Sequence, residues 1–284
     1  MTEEHQNCNH DCAHCSAHKS EEECAADKRL AENMSRIAHK IVVLSGKGGV
    51  GKSTVAVNVA FGLAARGAKV GLLDVDLHGP SIPNMLGLAW AGASGSDGKI
   101  DPVLSGPVEV MSVAFFLPNE AAVIWRGPMK LGVIRQFLQD VDWGDLDYLV
   151  VDCPPGTGDE PLSVCQTLQG DVKALVVTTP QEVAAADVRR SRDFCKQLQL
   201  PVVGVVENMS GFVCPHCGEV TYIFKQGGGQ ALAEGAGVPF LGRIPLDPMV
   251  GELGDSGRPV VDEAPESPAA KAFGTVVDAV MPNK

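Results

Sequence analysis

The residues with the clearest chemical signature form a glycine-rich segment, GKGGVGKST, at positions 46–54. The segment follows an apolar run and precedes a helical pattern, which is the context that a phosphate-binding loop requires. Glycines let successive backbone N–H groups turn toward phosphates, and the following helix N-terminus adds partial positive charge. We expect this loop to bind ATP, with Lys52 reaching the β- and γ-phosphates and the Ser53 hydroxyl coordinating Mg²⁺. The predicted nucleotide-binding residues are Gly46, Lys47, Gly48, Gly49, Val50, Gly51, Lys52, Ser53 and Thr54.

Acidic side chains end two of the other apolar runs. Asp74 and Asp76 lie in VGLLDVDLHGPS, and Asp152 ends LDYLVVD. Carboxylates at the carboxyl ends of parallel strands face the crevice in which ligands bind. We expect Asp152 to hold Mg²⁺ through water and Asp76 to orient the attacking water, while Asp74 supports the loop and the metal shell.

Two cysteines in GFVCPHCGE, Cys214 and Cys217, have the spacing of a metal-binding turn. A C-x₂-C turn directs two thiolates at one point, and the following glycine lets the backbone approach the metal. A tetrahedral or cubane site needs four ligands, so one chain supplies half of it. Two such turns on the two-fold axis of a dimer would supply four cysteines, for a [4Fe–4S] cluster or for structural Zn²⁺.

Residues 1–38 form a separate segment that is rich in cysteine and histidine. With almost no branched aliphatic residue before Leu30, this segment cannot bury enough apolar surface to fold alone. We predict that it binds a second [4Fe–4S] cluster or Zn²⁺; the alternative is an unliganded tail. The ligands would be Cys8, Cys12, Cys15 and Cys24. The other cysteines, Cys153, Cys165 and Cys195, are predicted to be small buried apolar residues.

The elements that must position these residues alternate along the chain from residue 39 onward. Apolar runs predict strands at 40–45, 68–76, 106–113, 146–152, 172–179, 201–208 and 239–245. Helical spacing predicts helices at 28–39, 52–66, 127–139, 161–168, 182–198, 228–235 and 266–280, and a Gly/Ser-rich loop at 90–105. This alternation predicts an α/β fold with a doubly wound, mostly parallel sheet flanked by helices, forming one P-loop ATPase domain over 39–284.

Composition and charge limit the partners. Among 284 residues, 45% are apolar and the formal net charge is −12, which disfavours non-specific binding to nucleic acid. No apolar run approaches the ~20 residues that span a bilayer, and the N-terminus lacks a signal-peptide pattern. We therefore expect a cytoplasmic protein with neither a membrane nor nucleic acid as its main partner.

A second lysine, Lys47, directly follows the first glycine of the loop. The sequence KGGVGKS resembles the deviant Walker A loop of the class that contains MinD, Mrp, ArsA and the nitrogenase iron protein. In that class the extra lysine reaches across a dimer interface to the partner's nucleotide, so the resemblance implies a homodimer with two facing ATP sites. Lys47 thereby joins Lys52, Asp76 and Asp152 in the predicted catalytic set. The class also implies that Asn208, at the end of a predicted strand, hydrogen-bonds the adenine.

Further motifs narrow the resemblance to the Mrp/ApbC family. They occur in the order GKGGVGKST, DVDLHGPSIPNMLG, WRGPMK, DYLVVDCPPGTGDE, VVENMSGFVCPHCG and GGGQALAEGAGVPFLGRIPLDP, between residues 46 and 248. The resemblance implies an ATPase that carries [4Fe–4S] clusters to apo-proteins, with Cys214 and Cys217 bridging the cluster. It also marks Arg126 as part of a family motif.

Two other functions use the same features. A MinD/ParA-type positioning ATPase has the same loop, but the C-terminus SPAAKAFGTVVDAVMPNK carries too little positive charge for binding to anionic lipid. A zinc-stabilised dimeric regulatory ATPase would use the same cysteines, because thiolates alone do not choose between zinc and iron–sulfur. The leading hypothesis is a cluster carrier with slow ATP hydrolysis.

Overall fold

An eight-stranded sheet forms the centre of the molecule in the computed structural model. Its spatial order is β10-β7-β6-β1-β5-β2-β4-β3, and a two-stranded antiparallel hairpin of β8 and β9 stands beside it. The strands in chain order are β1 (Ile37–Leu44), β2 (Val70–Asp74), β3 (Val103–Ser105), β4 (Val108–Ser112), β5 (Leu146–Asp152), β6 (Val172–Thr178), β7 (Val202–Glu207), β8 (Phe212–Val213), β9 (Val220–Thr221) and β10 (Phe240–Arg243).

The structure describes most of the chain from residue 21 onward. The described residues are 21–76, 79–96, 98–116, 127–156, 158–181, 194, 196–197, 200–214 and 216–281. Within them the helices are α1 (Glu21–Ser35), α2 (Lys52–Ala64), α3 (Ile82–Met85), α4 (Gly127–Asp140), α5 (Asp159–Thr167), α6 (Gly228–Ala236), α7 (Pro248–Asp255), α8 (Val260–Glu263) and α9 (Pro268–Val280), with a 3₁₀ turn at Val113–Phe116. None of the helices in this part of the chain is long and apolar enough to cross a membrane.

The predicted parallel sheet is confirmed. All neighbouring strands of the large sheet pair in parallel except β3, which pairs antiparallel with β4. β1 lies between β5 and β6 and is apolar along its second half, because strands covered on both faces need no polar alternation. The register of the central strands places Asp74 opposite Asp152, so both carboxylates reach the same edge of the sheet.

Some sequence predictions are corrected by the structure. The expected loop at 90–105 ends in β3, and the first helix ends at Ser35, so that the predicted 28–39 helix is wrong over its last residues. There Ile37 begins the strand by pairing with Leu146. The predicted helix at 182–198 falls largely outside the described residues, as do Arg126 and Cys195.

The N-terminal part that is described packs against the domain. Helix α1 lies on α4 and buries Leu30 and Met34 in the main core. Asn33 extends this contact by donating hydrogen bonds to the carbonyl oxygens of Gln139 and Val141 at 2.9 and 2.8 Å, which satisfies acceptors near the end of α4. Residues 1–20, with three of the four predicted N-terminal ligands, lie outside the described residues, and metal binding by that segment stays a prediction.

Candidate functional site

The glycine-rich loop joins the central strand β1 to helix α2. Gly49 and Gly51 have φ values of 76° and 78°, in the left-handed region that glycine adopts without strain. Gly51 directly precedes α2, and a Cβ there would lie 2.2 Å from the side-chain nitrogen of Asn208. Glycine is therefore required at 51 both by the backbone conformation and by the close approach of another strand end.

The loop borders a cavity of about 300 Å³ at the carboxyl edge of the sheet. Asp76 of the segment after β2 and Pro155 of the segment after β5 form other walls of this cavity. The lining residues are Ser45, Lys47, Gly48, Gly49, Val50, Gly51, Lys52, Ser53, Thr54, Asp76, Ser81, Met85 and Pro155. The structure thus brings nearly all of the predicted phosphate-binding residues together around one space.

Three ionisable side chains lie close together beside this cavity. Lys52 Nζ donates to Asp152 Oδ1 at 2.5 Å, and both side chains are buried. Asp74 is fully buried as well, and it accepts hydrogen bonds from the backbone N–H of Asp76 and from Ser112 Oγ, each at 3.1 Å. Two buried carboxyl groups thus lie close to one buried lysine, which pairs directly with Asp152 alone.

Burial and mutual repulsion govern the protonation of these carboxyl groups. Burial, followed by the charge of Asp152, raises the pKa of Asp74 to about 8. Burial also raises the pKa of Asp152, although Lys52 and Ser53 oppose that shift. Among the described residues Asp152 Oδ2 and Ser45 Oγ have no hydrogen-bond partner although both are buried. An unpaired buried oxygen is costly, so both atoms are suited to a ligand in the cavity.

Asn208 connects the loop to a second, more apolar cavity. Its side-chain Nδ2 donates to the Val50 carbonyl at 2.9 Å, which places the end of β7 against the glycine-rich loop. The second cavity has a volume of about 440 Å³ and shares Thr54 with the first. It is lined by Thr54, Asn208, Met209, Phe212, Ile244, Pro245, Leu246, Asp247, Pro248, Val250, Gly251 and Phe273. A polar cavity that adjoins a more apolar one fits the phosphates and the base of a nucleotide.

Lys47 stands apart from this buried group. Its side chain is exposed, and its Nζ reaches Gln181 Oε1 after β6 at 3.4 Å. A lysine exposed on the rim of the cavity can reach a ligand or a neighbouring molecule. Its predicted position at the nucleotide of a second subunit stays a prediction.

The predicted thiol pair lies on the hairpin of β8 and β9. Cys214 is half-buried and Cys217 is exposed; the Cys214 N–H donates to the Glu219 carbonyl at 2.9 Å, and the Gly218 N–H donates to the Cys214 carbonyl at 2.8 Å. Hydrogen bonds from the backbone of Cys217 and His216 lower the pKa of the Cys214 thiol, which favours the metal-binding thiolate. No group of three or more potential metal ligands occurs among the described residues, so the pair gains no further ligand from that part of the chain.

An apolar strip follows the thiol pair. It consists of Val220, Tyr222, Ile223 and Phe224, whose exposed fractions are 46, 47, 55 and 36%. Four exposed apolar side chains within five residues, next to two accessible thiols, mark this hairpin as a contact surface. Cys153 and Cys165 differ from the surface pair: both are buried in the core, as predicted, and burial raises the pKa of Cys153.

The sequence reasoning missed two polar residues that organise the site. Ser112 binds Asp74, and Glu207 is a fully buried carboxylate at the end of β7. A glutamate that ends the apolar run VVGVVE was the available signal for the second. No local signal marks Ser112, since its contact arises from the pairing of β4 with β2.

Comparison with known proteins decides the family. The family model described as the NUBPL iron-transfer P-loop NTPase (ParA) matches residues 36–281. The chain belongs to this family.

Two curated relatives of this NUBPL-type P-loop NTPase span most of its length. An iron-sulfur cluster carrier protein of Methanocaldococcus jannaschii is 52% identical over 83% of this chain and 82% of its own. The cytosolic Fe-S cluster assembly factor NUBP2 of Rattus norvegicus is 50% identical over 88% of this chain and 94% of its own.

Solved structures agree with this assignment. A nucleotide-binding protein from Archaeoglobus fulgidus, in complex with ADP, is 43% identical, covers 82% of this chain and 91% of its own, and has a TM-score of 0.73. The cell division ATPase MinD of Pyrococcus furiosus is 25% identical, covers 86% and 98%, and has a TM-score of 0.60. The sequence-based resemblance to the Mrp/MinD class is thus confirmed.

Proposed function

We propose that this NUBPL-type P-loop NTPase is an ATP-dependent carrier that holds a [4Fe–4S] cluster between two copies of the chain and delivers it to apo-proteins. One observation carries the proposal: the chain presents two thiols on a surface hairpin, and this hairpin directly follows the strand end that contacts the glycine-rich loop. Two thiols from each of two chains complete the four ligands of a cubane cluster. The names of the two curated relatives support the same cargo.

The residues of the cavity support ATP binding with slow hydrolysis. The loop amides, Lys52 and the N-terminus of α2 would hold the phosphates, with Asn208 beside the adenine. Ser53 and Asp152 would hold Mg²⁺, and the unpaired Asp152 Oδ2 fits that role. When bound, this ion would neutralise charge on the phosphates. Asp76, which lines the cavity, would orient the attacking water, while Lys47 would contact the nucleotide of the other subunit.

The proposed carrier couples the two sites through a short stretch of chain. Asn208 touches the loop, and Cys214 follows it by six residues. A change at the phosphates that moves the end of β7 would therefore shift the hairpin and alter the affinity for the cluster. We also propose a cytoplasmic location, in line with the cytosolic relative.

Anaerobic reconstitution with iron and sulfide tests the proposal. The wild-type protein should become dimeric and gain the visible absorbance of a [4Fe–4S] cluster, with about two irons per chain at the shared site. The Cys214→Ala/Cys217→Ala variant should lose this cluster and its transfer to an apo dehydratase. A Cys8→Ser/Cys12→Ser/Cys15→Ser variant is the control, since it removes N-terminal cysteines and should keep the shared cluster.

Three results would contradict the proposal. Cluster transfer by the Cys214→Ala/Cys217→Ala variant at the wild-type rate would exclude the shared site. Zinc binding without any cluster after reconstitution would favour the zinc-stabilised regulatory ATPase. ATP-dependent sedimentation of the protein with liposomes or DNA would favour a MinD/ParA-type positioning ATPase.

A further inference from the structure

Glu207 is a buried carboxylate to which neither the phosphate site nor the thiol pair assigns a role. It ends β7, its exposed fraction is 0%, and it directly precedes Asn208. A buried carboxylate is unfavourable unless several donors surround it. The identity of those donors therefore shows which parts of the fold this residue holds together.

The donors come from both ends of the segment that carries the thiol pair. At the start of the segment, Ser210 Oγ donates to Glu207 Oε1 at 2.5 Å. At its end, the N–H of Gly229 donates to Oε2 at 2.7 Å, and the N–H of Gly227 lies 3.4 Å from Oε1. The hairpin with Cys214 and Cys217 lies between these two points in the chain. One carboxylate therefore holds together the two ends of the segment that contains the hairpin.

The same carboxylate also serves as the N-terminal cap of α6. The residue before this helix, Gly227, has no side chain to cap it, and Glu207 accepts from the first turn instead. This contact depends on the absence of a side chain at 229, because a Cβ there would lie 2.8 Å from the Cβ of Glu207. The GGG sequence at 227–229 thus allows the helix to begin against a buried acid.

A cation completes the set of partners. Arg243 of β10 donates from Nε to Glu207 Oε1 at 3.3 Å and is itself about one-third exposed. The backbone supports the same arrangement, since the Ile244 N–H donates to the Glu207 carbonyl at 2.9 Å and the Ser210 N–H donates to the Ile244 carbonyl at 2.8 Å. The base of the hairpin is therefore fixed to β7 and β10 at once.

We propose that Glu207 is the positioning residue that fixes the Cys214–Cys217 hairpin relative to the nucleotide site. Its neighbour Asn208 contacts Val50 of the glycine-rich loop, while Glu207 holds the two ends of the hairpin segment. The two consecutive side chains thus link the loop to the thiols through one rigid strand end. The cluster part of this proposal rests on the proposed function.

The test compares Glu207→Gln with Glu234→Gln in the full chain. Glu234 is an exposed residue of α6 whose carboxylate accepts a hydrogen bond from Gln230 and none from Glu207's partners, so it controls for the change of charge. Hydrogen exchange in the metal-free protein should rise in residues 210–229 of Glu207→Gln and stay at the wild-type level in the control. After reconstitution, iron loss to a chelator should be about tenfold faster in Glu207→Gln, as expected for the loss of a charged hydrogen bond, while ADP affinity stays near wild type.

A milder variant keeps the test decisive if Glu207→Gln does not fold. Ser210→Ala removes one donor at the start of the segment and should raise exchange over the same residues, with iron loss a few-fold faster. Wild-type exchange and wild-type iron loss in the variants would overturn the proposal. A rise in exchange spread evenly over the sheet would also overturn it, because Glu207 would then support the fold and not the hairpin.

The two readouts separate this proposal from the proposed function. If the wild-type protein takes up no cluster, the proposed function fails. Hydrogen exchange of residues 210–229 in the metal-free variants then still tests whether Glu207 fixes the hairpin. If the cluster forms and the variants lose iron at the wild-type rate, only the role of Glu207 fails.

Discussion

At the scale of single residues, the site depends on how two buried carboxyl groups differ in their partners. Lys52 pairs with Asp152, while Asp74 relies on the hydrogen bonds of Asp76 N–H and Ser112 Oγ. The charge of Asp152 and burial both favour the protonated form of Asp74. Asp74 therefore keeps its proton near neutral pH, while Asp152 remains paired with the lysine that is predicted to hold phosphates.

Asp74→Asn tests this difference in protonation. Folding raises the pKa of Asp74 from its ordinary value of 3.8 to about 8, so between these pH values the folded protein binds one more proton than the unfolded chain. The free energy of unfolding of the wild type therefore falls as the pH rises toward 8. The neutral asparagine has no such dependence. The free energy of unfolding of Asp74→Asn minus that of wild type should therefore increase from pH 5 to about pH 8 and level off above it. Urea unfolding at several pH values measures this difference in the free energy of unfolding. A difference independent of pH would contradict the raised pKa of Asp74.

Much of the candidate site could be predicted from residue types and their spacing, whereas the rest depends on which strands pair. The motif around Lys52 predicted the phosphate-binding loop, since each residue type there has a local chemical reason. Ser112 had no such signal, and Glu207 had only its place at the end of an apolar run. Their contacts with Asp74 and Gly229 join separate segments of the chain. The roles of Lys47 and Asn208 toward a nucleotide stay predictions.

At the scale of elements, long periodic segments were predictable and short ones were not. The run LDYLVVD and the helix at residues 268–280 are long enough to show a clear pattern, and both occur within a few residues of their predicted bounds. The two-residue strands β8 and β9 carry no periodicity at all. Their pairing follows from the turn that contains Cys214 and Cys217, which sequence reasoning treated as a metal motif and not as a hairpin.

Gly51→Ala and Gly49→Ala separate backbone strain from steric conflict within one loop. Both glycines have φ near +77°, so alanine costs about 1–2 kcal/mol of strain at either position. Only at position 51 would the new Cβ meet another group, the Asn208 side chain, whereas nothing lies within 4 Å of a Cβ at position 49. Gly51→Ala should therefore be the more destabilising of the two in urea unfolding, and it should weaken ADP binding further in calorimetry.

The companion variant checks the cause. Adding Asn208→Ala to Gly51→Ala removes the group that the new Cβ would meet, so the double variant should recover part of the lost stability. Equal destabilisation by Gly49→Ala and Gly51→Ala would show that strain alone explains both.

At the scale of the whole molecule, the surface carries features that a single copy does not use. Lys47 is exposed on the rim of the cavity that the glycine-rich loop borders, and the apolar strip at Val220 and Tyr222–Phe224 lies exposed after the thiols of Cys214 and Cys217. Exposed apolar groups that lie close together are typical of a surface that meets a partner. The proposed homodimer would cover both features.

Lys47→Ala tests the proposed ATP-dependent contact. Removal of this exposed cation should weaken the dimerisation affinity in the presence of ATP roughly tenfold, because a charged contact to a phosphate would be lost. ADP binding to the single chain should change little. Lys271→Ala removes the same charge from an exposed position of helix α9, where the lysine pairs with Glu266, and should leave the dimer intact. Analytical ultracentrifugation with ATP and ADP measures both; unchanged dimerisation of Lys47→Ala would contradict the proposed role.

The central place of β1 has a consequence for how the protein reaches its native state. The strand that leads into the glycine-rich loop pairs with β5 and β6, and Lys52 meets its partner Asp152 across 100 residues of chain. Contacts that close so long a loop form slowly and late in folding. During synthesis β1 therefore cannot pair until β5 and β6 have been made. The nucleotide site is complete only once these central strands have assembled. ATP or ADP would then stabilise the completed fold by mass action, so that nucleotide supply favours mature chains over partly folded ones.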